Sequence, residues 1–219
     1  MHDLLTHIAI DGDLARLRKF HEIGVPWTSE VCSLAAGNGH LDVLEYAHDN
    51  GCPWDSRTPA SAANLGHLAC LRYAHDRRCP WDGLTTAFAA DRGNLECLKF
   101  AHENKCPWDA RTPAYAAQHG HLDCLAYAHE RGCVWNSETM LYASLFAVAT
   151  GNAECAVYAH ERGCPLDNVK LRDVVRRAID RRRAAANKIS RTYKRIRRAR
   201  IRLILISVLP RDVVETITK

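Results

Sequence analysis

Ala62-Ala63-Asn64-Leu65-Gly66-His67-Leu68-Ala69-Cys70-Leu71-Arg72-Tyr73-Ala74-His75-Asp76-Arg77-Arg78-Cys79-Pro80-Trp81-Asp82 is the stretch that decides the fold, because it returns along the chain. Trp27, Trp54, Trp81, Trp108 and Trp135 step by 27 residues each, and Leu166 takes the Trp position after a gap of 31. A second marker keeps pace: Gly39-His40-Leu41, Gly66-His67-Leu68, Gly93-Asn94-Leu95, Gly120-His121-Leu122 and Gly151-Asn152-Ala153. A third is Tyr46-Ala47-His48, Tyr73-Ala74-His75, Phe100-Ala101-His102, Tyr127-Ala128-His129 and Tyr158-Ala159-His160, while Gly12-Asp13-Leu14 through Trp27 forms a degenerate first copy. Self-similarity at a fixed short period marks a repeat architecture, here about six units between residues 2 and 166.

Each unit reads as two short antiparallel helices. Asp55 or Thr58 can cap the first helix of its unit, Thr58-Pro59 fits a cap followed by proline in the first turn, and Thr112-Pro113 repeats the arrangement. Ala62-Ala63 gives that helix a small-residue face, and Gly66 supplies a left-handed turn at its end. Leu68, Leu71, Ala74 and His75 then follow at helical spacing, and Cys79-Pro80-Trp81-Asp82 forms an extended connector. One hairpin has too little core to stand alone and must bury its faces against its neighbours. The expected fold is therefore an all-α helical-hairpin solenoid over residues 1–166 with a basic helical extension over 167–219, the repeated Trp filling the seam between units.

In Ala62-Ala63-Asn64-Leu65-Gly66-His67-Leu68 and Ala116-Ala117-Gln118-His119-Gly120-His121-Leu122 the sequence resembles the ankyrin repeat, and the step from Gly120 to Gly132 matches that family's closing glycine. Ankyrin repeats are typically about 33 residues long, so these units lack several, and the loss falls between Trp-Asp and the first helix, where the family builds its β-hairpin finger. The compact Cys-Pro-Trp-Asp form is similar to the repeats of large DNA viruses and some protists. The resemblance implies a protein-interaction module, a scaffold or adaptor with no catalytic residues, cofactor or metal, acting as a monomer. Leu209-Pro210-Arg211-Asp212 followed by Val213, Val214 and Ile217 resembles the opening of an F-box, which implies recruitment of a ubiquitin ligase; a terminal helix folding back on the stack is the simpler reading.

Charge is divided unevenly. Residues 1–169 hold 13 Lys/Arg against 21 Asp/Glu, a net of −8, whereas 170–202 hold 15 against 2, a net of +13. Arg181-Arg182-Arg183 and the run containing Lys194, Arg195, Arg197, Arg198, Arg200 and Arg202 place nuclear import, nucleic acid or an anionic surface among the roles open to 172–202, beside that of a solvated cap. The start of the chain lacks a basic and then apolar leader, and no window offers the roughly 18 apolar residues of a membrane span, so an intracellular location is expected. Cys52, Cys79, Cys106, Cys133 and Cys164 share one position of the repeat, and Cys70, Cys97, Cys124 and Cys155 another. Packing helices at about 8–10 Å keeps equivalent cysteines beyond disulfide reach, so buried free thiols in reducing surroundings are expected.

Comparison of copies within the chain separates scaffold from variable positions. Asn64-Leu65, Asp91-Arg92 and Gln118-His119, with Gly37-Asn38, change from copy to copy, as do Ser56-Arg57, Gly83-Leu84 and Ala110-Arg111. Side chains at turns vary without disturbing a core, so these residues are the expected partner-binding set.

Overall fold

The computed structural model describes residues 2–166 and 169–208, so the F-box-like segment 209–217 lies outside the described residues; side chains are described for these except at 2, 3, 169–171, 174, 195 and 197–208. Among the described residues there are 13 helices and no strand. Six hairpins come first: α1 (His2–Asp11) with α2 (Leu14–Glu22), α3 (Ser29–Gly37) with α4 (Leu41–Asp49), α5 (Arg57–Leu65) with α6 (Leu68–Asp76), α7 (Gly83–Asp91) with α8 (Leu95–Glu103), α9 (Thr112–Gln118) with α10 (Leu122–Glu130), and α11 (Ser137–Thr150) with α12 (Glu154–Glu161). The long α13 (Val169–Val208) follows. The chain divides into two compact units, Met1–Val175 and Arg176–Lys219.

Within the first unit each first helix lies against the first helix of the next hairpin, from α1 to α11, and the second helices α2 to α12 form a parallel row. Ala62-Ala63, Ala89-Ala90 and Ala116-Ala117 are fully covered, so methyl-sized side chains set the close approach of α5, α7 and α9. Leu17, Leu44, Leu71, Leu98 and Leu125, one in each of the first five units, fill the space between the two rows. In α6 the fully buried residues are Cys70, Leu71 and Ala74, whereas Leu68 and His75 of the expected stripe are half-buried.

The helix starts correct one expectation. After four of the five connector Trp residues the next residue does the capping: Asp82 accepts from the Leu84 amide at 2.9 Å, Asn136 from Glu138 and Thr139, Asp55 from Arg57 at 3.0 Å, and Asp109 from Arg111 at 2.7 Å, whereas Thr28 after Trp27 makes no such bond. Thr58 and Thr112 are not caps but fully buried residues of the first turn. A cap must stand outside the helix with its oxygen facing free amides two or three residues on, and Asp55 and Asp109 already occupy that place. Pro59 and Pro113 still fall in the first turn, where the missing N–H costs nothing.

The repeated cysteines fasten adjacent hairpins. The thiols of Cys52, Cys79, Cys106, Cys133 and Cys164 donate to the carbonyls of Thr28, Asp55, Asp82, Asp109 and Asn136 respectively, at 3.2–3.7 Å. All ten cysteines are free and buried. Burial pushes Cys70, Cys97 and Cys164 up to about 11 and Cys79, Cys106, Cys124, Cys133 and Cys155 up to about 12. Cys32 is raised further still, first by its hydrogen bond to the Cys52 thiol and then by burial, a pairing of nonequivalent positions that the repeat pattern does not announce. Because these folded values lie above that of an exposed thiol, the stability they carry is fully present below about pH 9 and is lost as pH rises through 11–12. Chemical denaturation at intervals above pH 8 is expected to show a falling midpoint from about pH 9; a flat midpoint to pH 11 contradicts this burial.

The connector Trp residues are half-buried rather than enclosed. Each lies against a histidine of its own hairpin, stacked in every case but the tilted His75–Trp81 pair, with ring centroids 3.7 Å apart for His48–Trp54 and for His129–Trp135, and Trp54, Trp81, Trp108 and Trp135 meet the Tyr or Phe of the next hairpin edge-on at 6.2–6.4 Å. The seam role stands, yet each Trp keeps part of its surface in solvent. Full burial of an aromatic is worth about 3–5 kcal/mol on truncation; Trp81→Ala is therefore expected to cost about 2 kcal/mol, read by urea denaturation.

Candidate partner-binding surface

The variable pairs fall at helix ends. Asn64 and Leu65 close α5, Asp91 closes α7 with Arg92 as its cap, and Gln118 closes α9 with His119 as its cap. A step of 27 residues relates Asp11, Asn38, Leu65, Arg92 and His119, all of them exposed, and the next step reaches the half-buried Phe146. Because the first helices lie side by side, these positions form one ridge along an edge of the first row. Asp11 and Phe146 were missed by comparing only neighbouring pairs, although the same step leads to both.

The ridge changes character along its length. Leu65 is 51% exposed. Beyond it, Asp91 holds His119 at 3.0 Å and Arg92 at 3.7 Å, an acidic centre between two basic side chains of neighbouring hairpins. At the far end α11 has 14 residues against nine in α5, and Leu145 and Val148 are 48% and 59% exposed. Burial holds His121, beneath this edge, below the usual imidazole range, with the adjacent His119 adding to the effect. The His121 ring packs against Gly93 of the preceding turn.

Ser56, Arg57, Ala110 and Arg111 stand at the opposite ends of α5 and α9. A nine-residue helix is about 13 Å long, so the structure does not bring the two variable sets into one patch. Arg57 is engaged at 2.8 Å by the Asp55 carboxylate and at 2.7 Å by the Ser29 hydroxyl of the preceding hairpin, and Arg111 is held by Asp109 at 2.7 Å. These guanidinium groups keep the Asp55 and Asp109 carboxyls below the usual carboxylate range. In α13, Arg181, Arg182, Arg183 and Lys194 are exposed. Arg195, Arg197, Arg198, Arg200 and Arg202 share the helix.

Among the described residues no group of three or more His, Cys, Asp or Glu side chains could hold a metal ion, and no helix is long and apolar enough to cross a membrane. Buried thiols with raised pKa values are protonated at neutral pH and make poor nucleophiles.

No family model matches the chain and no curated protein matches it. Among solved structures it is similar to the ankyrin repeat domain of human ASB11, with a TM-score of 0.61 and 18% sequence identity over 75% of this chain and 85% of that one. Six stacked helical hairpins and that likeness together give the fold: this is an all-helical ankyrin-repeat solenoid.

Proposed function

We propose that the stack is a protein-binding scaffold or adaptor whose contact surface is the ridge of first-helix ends, with Asn64, Leu65, Asp91, Arg92, Gln118 and His119 at its centre. The observation that carries this reading is the contrast between an invariant frame and a variable edge. Buried Ala, Leu and Cys positions repeat hairpin after hairpin, while the exposed edge presents Leu65, then Arg92, Asp91 and His119, then Leu145 and Val148. A rigid row of helix ends spaced about 9 Å apart holds such side chains in fixed register, so little ordering entropy is lost when a partner docks. Exposed apolar residues beside charged ones are what a protein interface of mixed character uses. Ser56, Arg57, Ala110 and Arg111 serve as a second, outlying contact set at the opposite helix ends.

The test compares proteins recovered by the full chain and by a variant carrying Leu65→Glu, Arg92→Glu and His119→Glu, each folded to the same extent by circular dichroism. A partner bound through the ridge is expected to lose at least about tenfold in affinity, since charge reversal at a contact residue costs 1.4 kcal/mol or more. Partners retained in full by this variant but lost on Arg57→Glu with Arg111→Glu would move the interface to the opposite helix ends.

A further inference from the structure

The second unit has a surface of another kind. Between Asp180 and Lys194 every residue of α13 is exposed, and residues 176–194 carry eight Arg or Lys against the single Asp180. On this cationic helix Ile189, Tyr193 and Ile196 recur at i, i+4 and i+7, which places them on one face. They are 70%, 67% and 60% exposed. The same stripe starts earlier at Val175 and Ile179, which are buried. At about 100° per residue, Arg181 and Lys188 fall on one margin of the stripe, Arg183 and Lys194 on the other, and Asp180 opposite, while Arg182 falls within the stripe between its buried part at Val175 and Ile179 and its exposed part from Ile189 onward.

We propose that this part of α13 is a membrane-surface helix that lies in the interface of a bilayer rich in anionic lipid. Three large apolar side chains left in water are unfavourable by themselves, and a partner that covers them while neutralising cations on both margins uses the whole surface. An anionic bilayer does both. Ile189, Tyr193 and Ile196 enter the boundary of the acyl chains, the tyrosine keeping its hydroxyl among the headgroups, while the long Arg and Lys stems reach outward to phosphate and carboxylate. Nucleic acid satisfies the cations but leaves the apolar stripe in water. A second copy could cover the stripe, but it would bring two helices of eight cations each together.

Vesicles of phosphatidylcholine alone and of phosphatidylcholine with phosphatidylserine, sedimented with the full chain, test the assignment. Association is expected with the serine-containing vesicles only, and is expected to be lost in about 1 M salt, where the screening length falls to about 3 Å. Substituting Ile189→Ser, Tyr193→Ser and Ile196→Ser together, which leaves the charge unchanged and touches no buried residue, is expected to weaken association at least about tenfold. The proposal fails if neither vesicle binds, if both bind equally, or if the triple variant binds like the parent. It fails equally if duplex DNA competes the chain off the vesicles and the triple variant binds that DNA unchanged. Sedimentation as a dimer that the same substitutions dissolve would instead assign the stripe to a second copy and overturn the lipid reading.

Discussion

Leu98→Ala is expected to cost about 3–5 kcal/mol of stability, the largest loss from a single truncation in the stack. Leu98 is fully buried near the centre of the row, one of five leucines that recur at the same place in successive hairpins. The cavity opens where α8 faces α7, and methyl-sized neighbours such as Ala89 and Ala90 cannot swing in to fill it. Removed transfer energy and residual void therefore add. In a nearest-neighbour architecture the damage also weakens coupling across the middle of the array. Urea denaturation is expected to show a lower midpoint and a shallower slope as the two halves begin to unfold separately. A loss below about 1 kcal/mol would mean that the space between the rows collapses freely, contrary to close packing.

That leucine was legible in the sequence because its period is the period of the fold. Repetition at 27 residues made the hairpins, their six copies and the buried Cys and Ala positions readable without any structure. What was not legible is what the backbone path and the degree of solvent exposure decide. Asp55 and Thr58 compete for the same helix start, and only the backbone path decides for Asp55. The connector Trp carries an aromatic signature that reads as core, yet its stacking on His48 or His129 leaves part of its surface in water. For the candidate surface the residues were found by variation, and the expected helix start near Asp55 and end at Gly66 already set Ser56 and Asn64 apart; what the sequence did not announce is that Leu65, Arg92 and His119 line one exposed edge of the first row.

The turn between helices carries the second large prediction, because two demands coincide at one atom. Gly66 closes α5 with φ +81°, and a Cβ placed there would stand 2.8 Å from Oδ1 of Asn94 in the next hairpin. That amide cannot move without loss, since its Nδ2 donates to the Ala63 and Asn64 carbonyls at 3.0 and 2.8 Å, satisfying the C-terminal end of α5. Gly66→Ala should therefore cost about 3 kcal/mol, with 1–2 from left-handed backbone and the rest from disturbed hydrogen bonds. Gly51 provides the comparison: its φ is +82° but nothing lies within 4 Å of its missing Cβ, so Gly51→Ala should cost only the backbone share, about 1 kcal/mol. In a background already carrying Asn94→Ala, the Gly66→Ala penalty should fall to the value seen at Gly51, a coupling of 1 kcal/mol or more in the double-mutant cycle. Strict additivity would show that the glycine is needed for its backbone alone, and that the His or Asn after it in each unit does not reach back to hold the preceding turn.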